Sequence, residues 1–200
     1  MSDPLSHWNQ VYRESRPEAT SWYEDSPLLS LDLLERSGLT ADTSVIDVGA
    51  GRSPLGSALI ARGLHDVSAL DISSEALAQL DDAGDTLQRI VADVTTWEPP
   101  RQFDRWHDRA VLHFLTPRDA QAYRNVLLTA LVPDGRVVIG VFSTSGPEAC
   151  SGLRVTRYDE RSLEEFMGVE FEFLETLRHT HLTPWGAPQD FLWILAQRRA

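Results

Sequence analysis

Val45-Ile46-Asp47-Val48-Gly49-Ala50-Gly51-Arg52-Ser53-Pro54 decides the reading of this chain. A short β-branched run ends in two glycines and then in a helix start. Parallel strands covered on both faces read as unbroken apolar runs, and glycine lets the backbone turn sharply and approach a ligand closely. Ser53 suits the N-cap, with Pro54 at the first helical position, so free amide groups point beyond the strand end. The pattern is that of a nucleotide-binding turn. Asp71 follows Gly49 by 22 residues, at the end of a second apolar run from Val67 to Leu70, where a carboxylate can accept both hydroxyls of a ribose. A nicotinamide dinucleotide fingerprint asks for a third glycine, and Pro54 stands in its place.

Asp47-Val48-Gly49-Ala50-Gly51 followed by Asp71 resembles the first two motifs of the class I S-adenosylmethionine-dependent methyltransferases. The resemblance continues through Ala92-Asp93-Val94 and through Phe103-Asp104-Arg105-Trp106-His107-Asp108-Arg109, and so spans nearly the whole chain. It implies S-adenosyl-L-methionine as cofactor and S-adenosyl-L-homocysteine as product. Its implied contacts are Asp47, Gly49, Ala50, Gly51, Asp71, Ile72, Asp93, Val94 and Asp108, with Asp71 on the ribose and Asp93 near the adenine. The loop that opens at Asp108-Arg109 is implied to lie beside the transferable methyl.

Composition agrees with one soluble domain. The 200 residues suffice for a full core. No apolar stretch approaches the roughly 20 residues of a bilayer span, and Met1-Ser2-Asp3-Pro4 opens no signal-peptide pattern; a cytoplasmic protein off the membrane is expected. Cys150 is the single cysteine, so no internal disulfide forms, and no Cys/His cluster has metal-site spacing. Lysine is absent, and the net charge of -12 repels phosphate backbones, which disfavours nucleic acid as a partner.

The pattern along the chain predicts an α/β fold: a Rossmann-like, mostly parallel sheet with an N-terminal helical cover. Residues 1–200 are expected to form a single domain, with 1–40 as cover and 41–200 as core. Ser26-Pro27 starts a helix with Leu28, Leu31 and Leu34 on one face, stopped near Gly38. Strands are expected at about 44–48, 67–71, 88–92, 103–108 and 136–142, with helices at 54–62, 74–82, from Thr116-Pro117 to about 131, and at 160–167. Pro133-Asp134-Gly135 reads as a turn. β-rich segments at 169–178 and 190–197 close the chain as a hairpin, and the family resemblance implies a seven-stranded sheet whose last strand is antiparallel.

In an open α/β sheet the ligand lies outside the carboxyl ends of the strands. Asp108, Arg109 and His113 are therefore the candidate catalytic residues, although Asp108 and Arg109 equally suit a mutual pair or a helix cap, and His113 equally suits packing on the sheet. His7-Trp8-Asn9-Gln10-Val11-Tyr12 and Ser21-Trp22-Tyr23 resemble the cover of small methyltransferases of the thiopurine and tellurite type, which implies that Trp22 closes over the cofactor. The loop from Ser143 to Tyr158 is the longest irregular stretch, where function concentrates. Arg109, Arg154 and Arg157 would suit an anionic acceptor. His179 and His181 share a strand face but lack a third metal ligand.

The sequence shows no isolated general base, which leans toward a thiol or other soft nucleophile. No Asn-Pro-Pro-Tyr-type motif follows the fourth strand. The expected function is methylation of a small-molecule acceptor by a monomer or weak homodimer. The rival readings are a protein lysine methyltransferase and a non-catalytic cofactor-binding regulator.

Overall fold

A computed structural model describes residues 3–80 and 86–200. The chain begins with α1 (Pro4–Glu14), capped by Asp3, whose side chain accepts the Ser6 N–H, and a single 3-10 turn (Pro17–Ala19). Then come α2 (Leu28–Arg36), β1 (Ser44–Val48), α3 (Leu55–Ala61), β2 (Asp66–Asp71), α4 (Ser74–Leu77), β3 (Leu87–Val91) and β4 (Phe103–Arg109). After a 3-10 turn (Leu112–Phe114) follow α5 (Pro117–Ala130), β5 (Leu131–Phe142), the short pair β6 (Ala149–Cys150) and β7 (Leu153–Arg154), α6 (Glu160–Met167), β8 (Phe171–Leu182) and β9 (Pro188–Arg198). The helix expected over 74–82 is Ser73-capped and regular only to Leu77; its positions 81 and 82 lie outside the described residues.

Seven strands form one sheet in the order β3-β2-β1-β4-β5-β9-β8. All neighbours are parallel up to β5; β9 runs antiparallel to both β5 and β8. Register aligns Val48 with Leu70 on one side and with Asp108 on the other, so the central strands end level and their following loops open on one edge.

One expectation needs correction. Pro133-Asp134-Gly135 does not precede β5 but interrupts it. Leu131 pairs with Phe103, then the register jumps so that Arg136 pairs with Arg105, and Asp134 takes up a left-handed φ of 62°. The turn residues bulge out of the strand while apolar Leu131, fully buried, holds its earlier end in the sheet.

Hydrophobic residues cover both faces. One face carries α5, whose Ala120, Tyr123, Val126, Leu127 and Ala130 recur at helical spacing and bury against Trp106 and Ile139, with Leu163 and Met167 of α6 beside them. On the other face Leu31, Leu34, Leu55 and Leu59 of α2 and α3 pack with Val45, Val67 and Trp193. Each fully buried leucine contributes about 1.5–3 kcal/mol. No helix among the described residues is long and apolar enough to cross a membrane.

α1 lies at the carboxyl edge beside α4. The Ser73 hydroxyl donates to Asn9 Oδ1 at 2.7 Å, and the Gln79 amide donates to the Tyr12 carbonyl at 3.1 Å. These bonds hold the N-terminal segment over the ends of β1 and β2, where the candidate site lies.

Candidate active site

The site is built on the turn after β1. Gly49 and Gly51 have φ of 65° and 55°, a region that costs a residue bearing a Cβ. Space forbids a side chain as well: a Cβ on Gly49 would lie 1.9 Å from Val111 Cγ2, and one on Gly51 2.5 Å from the Tyr12 hydroxyl. The Gly51 N–H donates to Asp71 Oδ2 and the Ser73 N–H to Oδ1, each at 2.8 Å. Each carboxylate oxygen therefore keeps a lone pair for a ligand hydroxyl. Burial raises the Asp71 pKa to about 6 against the opposing pull of those two amides. Helix α3 starts one residue later than expected, with Pro54 and not Ser53 at the N-cap, and Ser53 Oγ accepts the Leu55 N–H at 3.2 Å from the position before it.

Two cavities open at this edge. The larger, about 300 Å³, is lined by Asp71, Ile72, Asp93 and Val94 on the β2–β3 side and by His113, Cys150, Gln189 and Phe191 on the β5–β9 side. The smaller, about 60 Å³, lies along Gly49–Pro54 with Ala50, Asp47 and His107. Tyr12, Trp22, Gly49 and Arg109 line both, so the cavities adjoin. Asp93 Oδ1 accepts the Thr95 N–H and hydroxyl at 2.8 and 2.7 Å. Asp47 Oδ1 accepts His107 Nδ1–H at 2.7 Å, and His107 Nε2 meets Ser30 Oγ at 2.9 Å, a fully enclosed chain that fixes the floor of the smaller cavity.

The N-terminal aromatics close the roof. Trp8 meets Tyr12, Trp22 and Phe114 with centroids 5.0–6.2 Å apart, mostly edge to face. The segment beneath Trp22 is pinned from below: Arg109 Nη1 donates to the Trp22 carbonyl at 2.8 Å, and His181 Nε2–H to the Ser21 carbonyl at 2.7 Å. Glu24 faces both Arg109, at 3.0 Å, and His181 Nδ1, at 3.4 Å. Burial alone raises the Glu24 pKa, but these partners outweigh it and hold it below the usual carboxylate value.

The structure redistributes the expected catalytic roles. Asp108 lines neither cavity. Its carboxylate, fully buried, accepts the Val111 and Leu112 N–H groups and the Tyr123 hydroxyl at 2.8, 3.1 and 2.8 Å, and Trp106 Nε1–H in turn donates to Tyr123. The strand-end carboxylate is spent on tying the 3-10 turn to α5, so neither the catalytic nor the cofactor role expected of it is available. His113 does line the larger cavity, but not as a base. Its Nδ1 accepts the Phe142 N–H at 3.1 Å, and burial together with Arg109 lowers its pKa to about 3. The neutral ring carries its proton on Nε2 and has no free lone pair.

Arg109 reaches the cavities but is already neutralised by Glu24. Arg154 is exposed, and Arg157 pairs with Glu148 at 3.0 Å, so the three arginines do not converge on an anionic acceptor. Cys150 Sγ lies 3.6 Å from Ser21 Oγ, and burial pushes the thiol up. His179 is exposed while His181 is buried on the cover, and the described residues hold no metal-binding cluster. Glu24, Phe114, Gln189 and Phe191 complete the site without a signal in the sequence; only strand pairing, which sets β9 next to β5, brings Gln189 and Phe191 to it.

Comparison with known proteins gives the same frame. A family model described as a methyltransferase domain matches residues 45–135. No curated protein shows significant sequence similarity to the chain. Among solved structures, one concerned with the conversion of a disulfide bond into a thioacetal group during echinomycin biosynthesis superposes with a TM-score of 0.79, at 18% identity, over 98% of this chain and 92% of the other. The 1,6-didemethyltoxoflavin-N1-methyltransferase of Burkholderia thailandensis, bound to 1,6-didemethyltoxoflavin and S-adenosylhomocysteine, gives 0.75 at 21% identity over 100% and 92%. The N-methyltransferase NodS of Bradyrhizobium japonicum, in complex with S-adenosylhomocysteine, gives 0.72 at 14% over 97% and 100%.

Proposed function

We propose that the chain, which matches a methyltransferase domain over residues 45–135 and has the fold of S-adenosylmethionine-dependent methyltransferases, transfers a methyl group from S-adenosylmethionine to a small-molecule acceptor enclosed beneath the N-terminal cover. The observation that carries the small-molecule reading is the roof: Trp8 and Trp22 lie over the larger cavity while Arg109 and His181 hold the backbone of residues 21–22 in place. A protein side chain presented from a folded surface would need an open groove there.

The residues present fit the cofactor. Asp71 keeps one lone pair on each oxygen for a pair of hydroxyls, the backbone of Gly49 and Gly51 lines the cavities, and Asp93 stands one strand away for the adenine. The smaller cavity beside Asp47 and Gly51 suits the amino-acid end. Bound there, S-adenosylmethionine supplies a methyl already made electrophilic by a sulfonium. What the protein adds is alignment and exclusion of water.

Among the described residues that line the larger cavity, neither imidazole nor guanidinium is free to take a proton. This supports an acceptor that reacts through a thiolate or other soft nucleophile, or one whose proton leaves to water. Purified protein incubated with tritiated methyl donor and separate pools of metabolites and proteins tests the reading. Label in the metabolite pool is expected. Label confined to proteins overturns the small-molecule assignment, and no label in either pool overturns the enzymatic one.

A further inference from the structure

The two sides of the larger cavity differ in chemistry. Asp71 and Asp93 lie by β2 and β3, whereas the β4–β5–β9 side, two to five strands away, is walled by aromatic rings. Phe142 stacks on His113 with centroids 4.4 Å apart and 28° between planes. Phe191 meets Phe142 edge-on at 4.8 Å, and Phe114 meets His113 at 4.6 Å. Gln189 shares a face of β9 with Phe191, two residues on.

Three buried polar atoms of residues lining this cavity have no hydrogen-bond partner among the described residues: Arg109 Nη2, which is ion-paired with Glu24 at 3.0 Å, and His113 Nε2 and Gln189 Oε1, which have no such neighbour. His113 is wholly enclosed and Gln189 only 8% exposed. With Nδ1 of His113 accepting the Phe142 N–H, Nε2 of the neutral ring is a donor, and Gln189 Oε1 is an acceptor. Buried polar groups are hydrogen-bonded in the great majority of proteins, so two orphans of opposite sense in residues lining one cavity point to an occupant that completes them. The occupant is also uncharged, because Arg109 is neutralised by Glu24, Asp119 accepts the Thr116 hydroxyl at the start of α5, and Asp71 and Asp93 stand on the opposite side.

We infer that the methyl acceptor is a flat, uncharged ring system that lies against Phe114, Phe142 and Phe191, presenting one hydrogen-bond acceptor to His113 Nε2–H and one donor to Gln189 Oε1. Aromatic walls favour a planar partner through offset and edge-to-face contacts, and the donor–acceptor pair fixes which edge of the ring enters. This identity of the acceptor rests on the methyl-transfer reading above and narrows it.

The test is calorimetric and needs no turnover. 2-Quinolone, a flat lactam with one carbonyl and one N–H, is titrated into the protein with and without saturating S-adenosylhomocysteine, alongside 1-methyl-2-quinolone, which lacks the donor, and indole, which keeps an N–H but has no carbonyl. 2-Quinolone is expected to bind about tenfold more tightly than either relative, the scale of one net hydrogen bond. Gln189→Met should abolish the preference over 1-methyl-2-quinolone. His113→Asn, whose Oδ1 can still accept the Phe142 N–H, should abolish the preference over indole. The thermal shift given by S-adenosylhomocysteine reports that each variant is folded. Equal affinity for the three probes, no binding of 2-quinolone, or unchanged preferences in both folded variants overturns the inference. Discrimination among the probes without any binding of S-adenosylhomocysteine would instead overturn the cofactor reading, and with it the role of methyl acceptor, leaving only a binding site for a flat, uncharged ring.

Discussion

Asp71 carries the most at the scale of single residues. Its carboxylate can accept two hydroxyls fully only when ionised, and burial has raised its pKa to about 6. Affinity for S-adenosylhomocysteine should therefore rise between pH 5 and 7 and level off above, while Asp71→Asn should bind about tenfold or more weakly at neutral pH with a flat profile. Calorimetry across that range checks both, and a wild-type affinity independent of pH would remove Asp71 from the hydroxyl contact. Asp108 behaves differently. Asp108→Ala leaves two buried N–H groups and the Tyr123 hydroxyl without an acceptor, so a loss of about 3–5 kcal/mol is expected in denaturant unfolding. A fall in activity without a fall in stability would return Asp108 to the chemistry.

At the scale of elements, the cover formed by α1 and residues 17–25 is held by a few specific contacts and not by a large core. Trp22 belongs to its ring cluster, whereas Trp97 packs beside Phe103 on the far face. Trp22→Ala should lower turnover about tenfold or more through lost water exclusion, with a small change in Tm. Trp97→Ala should lower Tm and leave the turnover of folded protein near wild type. Equal effects of the two on turnover would show that the roof does not shape the reaction. Arg109 joins β4 to this roof. Arg109→Ala leaves Glu24 buried opposite His181 alone and frees the Trp22 carbonyl, so residues 21–24 should become susceptible to limited proteolysis. Protection equal to wild type would count against the pinning role.

Across the whole molecule, the two buried carboxylates set a pH signature. Asp71 and Asp108 both have pKa values raised from 3.8 to about 6. The folded state thus binds more protons than the unfolded state between those values. The stability they confer is complete below about pH 4 and is lost as pH rises through 6, on the order of 2–3 kcal/mol for each. The Tm of Asp71→Asn should accordingly gain on wild type as pH is raised from 4 to 7, a difference that cancels the contribution of every other titrating group. A constant difference over that range would refute the raised pKa. At the same scale the sequence alone determined the frame. The apolar runs ending in Gly49-Ala50-Gly51 and Asp71, and the turn and capping residues between them, specify parallel strands, their order of appearance and the carboxyl edge as the place for a ligand, because these signals are local and act over a few residues. Only the tertiary structure decided what Asp108, Arg109 and His113 do. Their roles depend on partners distant in the chain: Tyr123 for one, Glu24 and the Trp22 carbonyl for another, the Phe142 amide for the third. The pairing of β9 with β5 likewise brings Gln189 and Phe191 to the cavity. Burial and hydrogen-bond satisfaction, which turn a carboxylate into a brace and an imidazole into a neutral donor, are properties of the packed chain and leave no trace in local pattern.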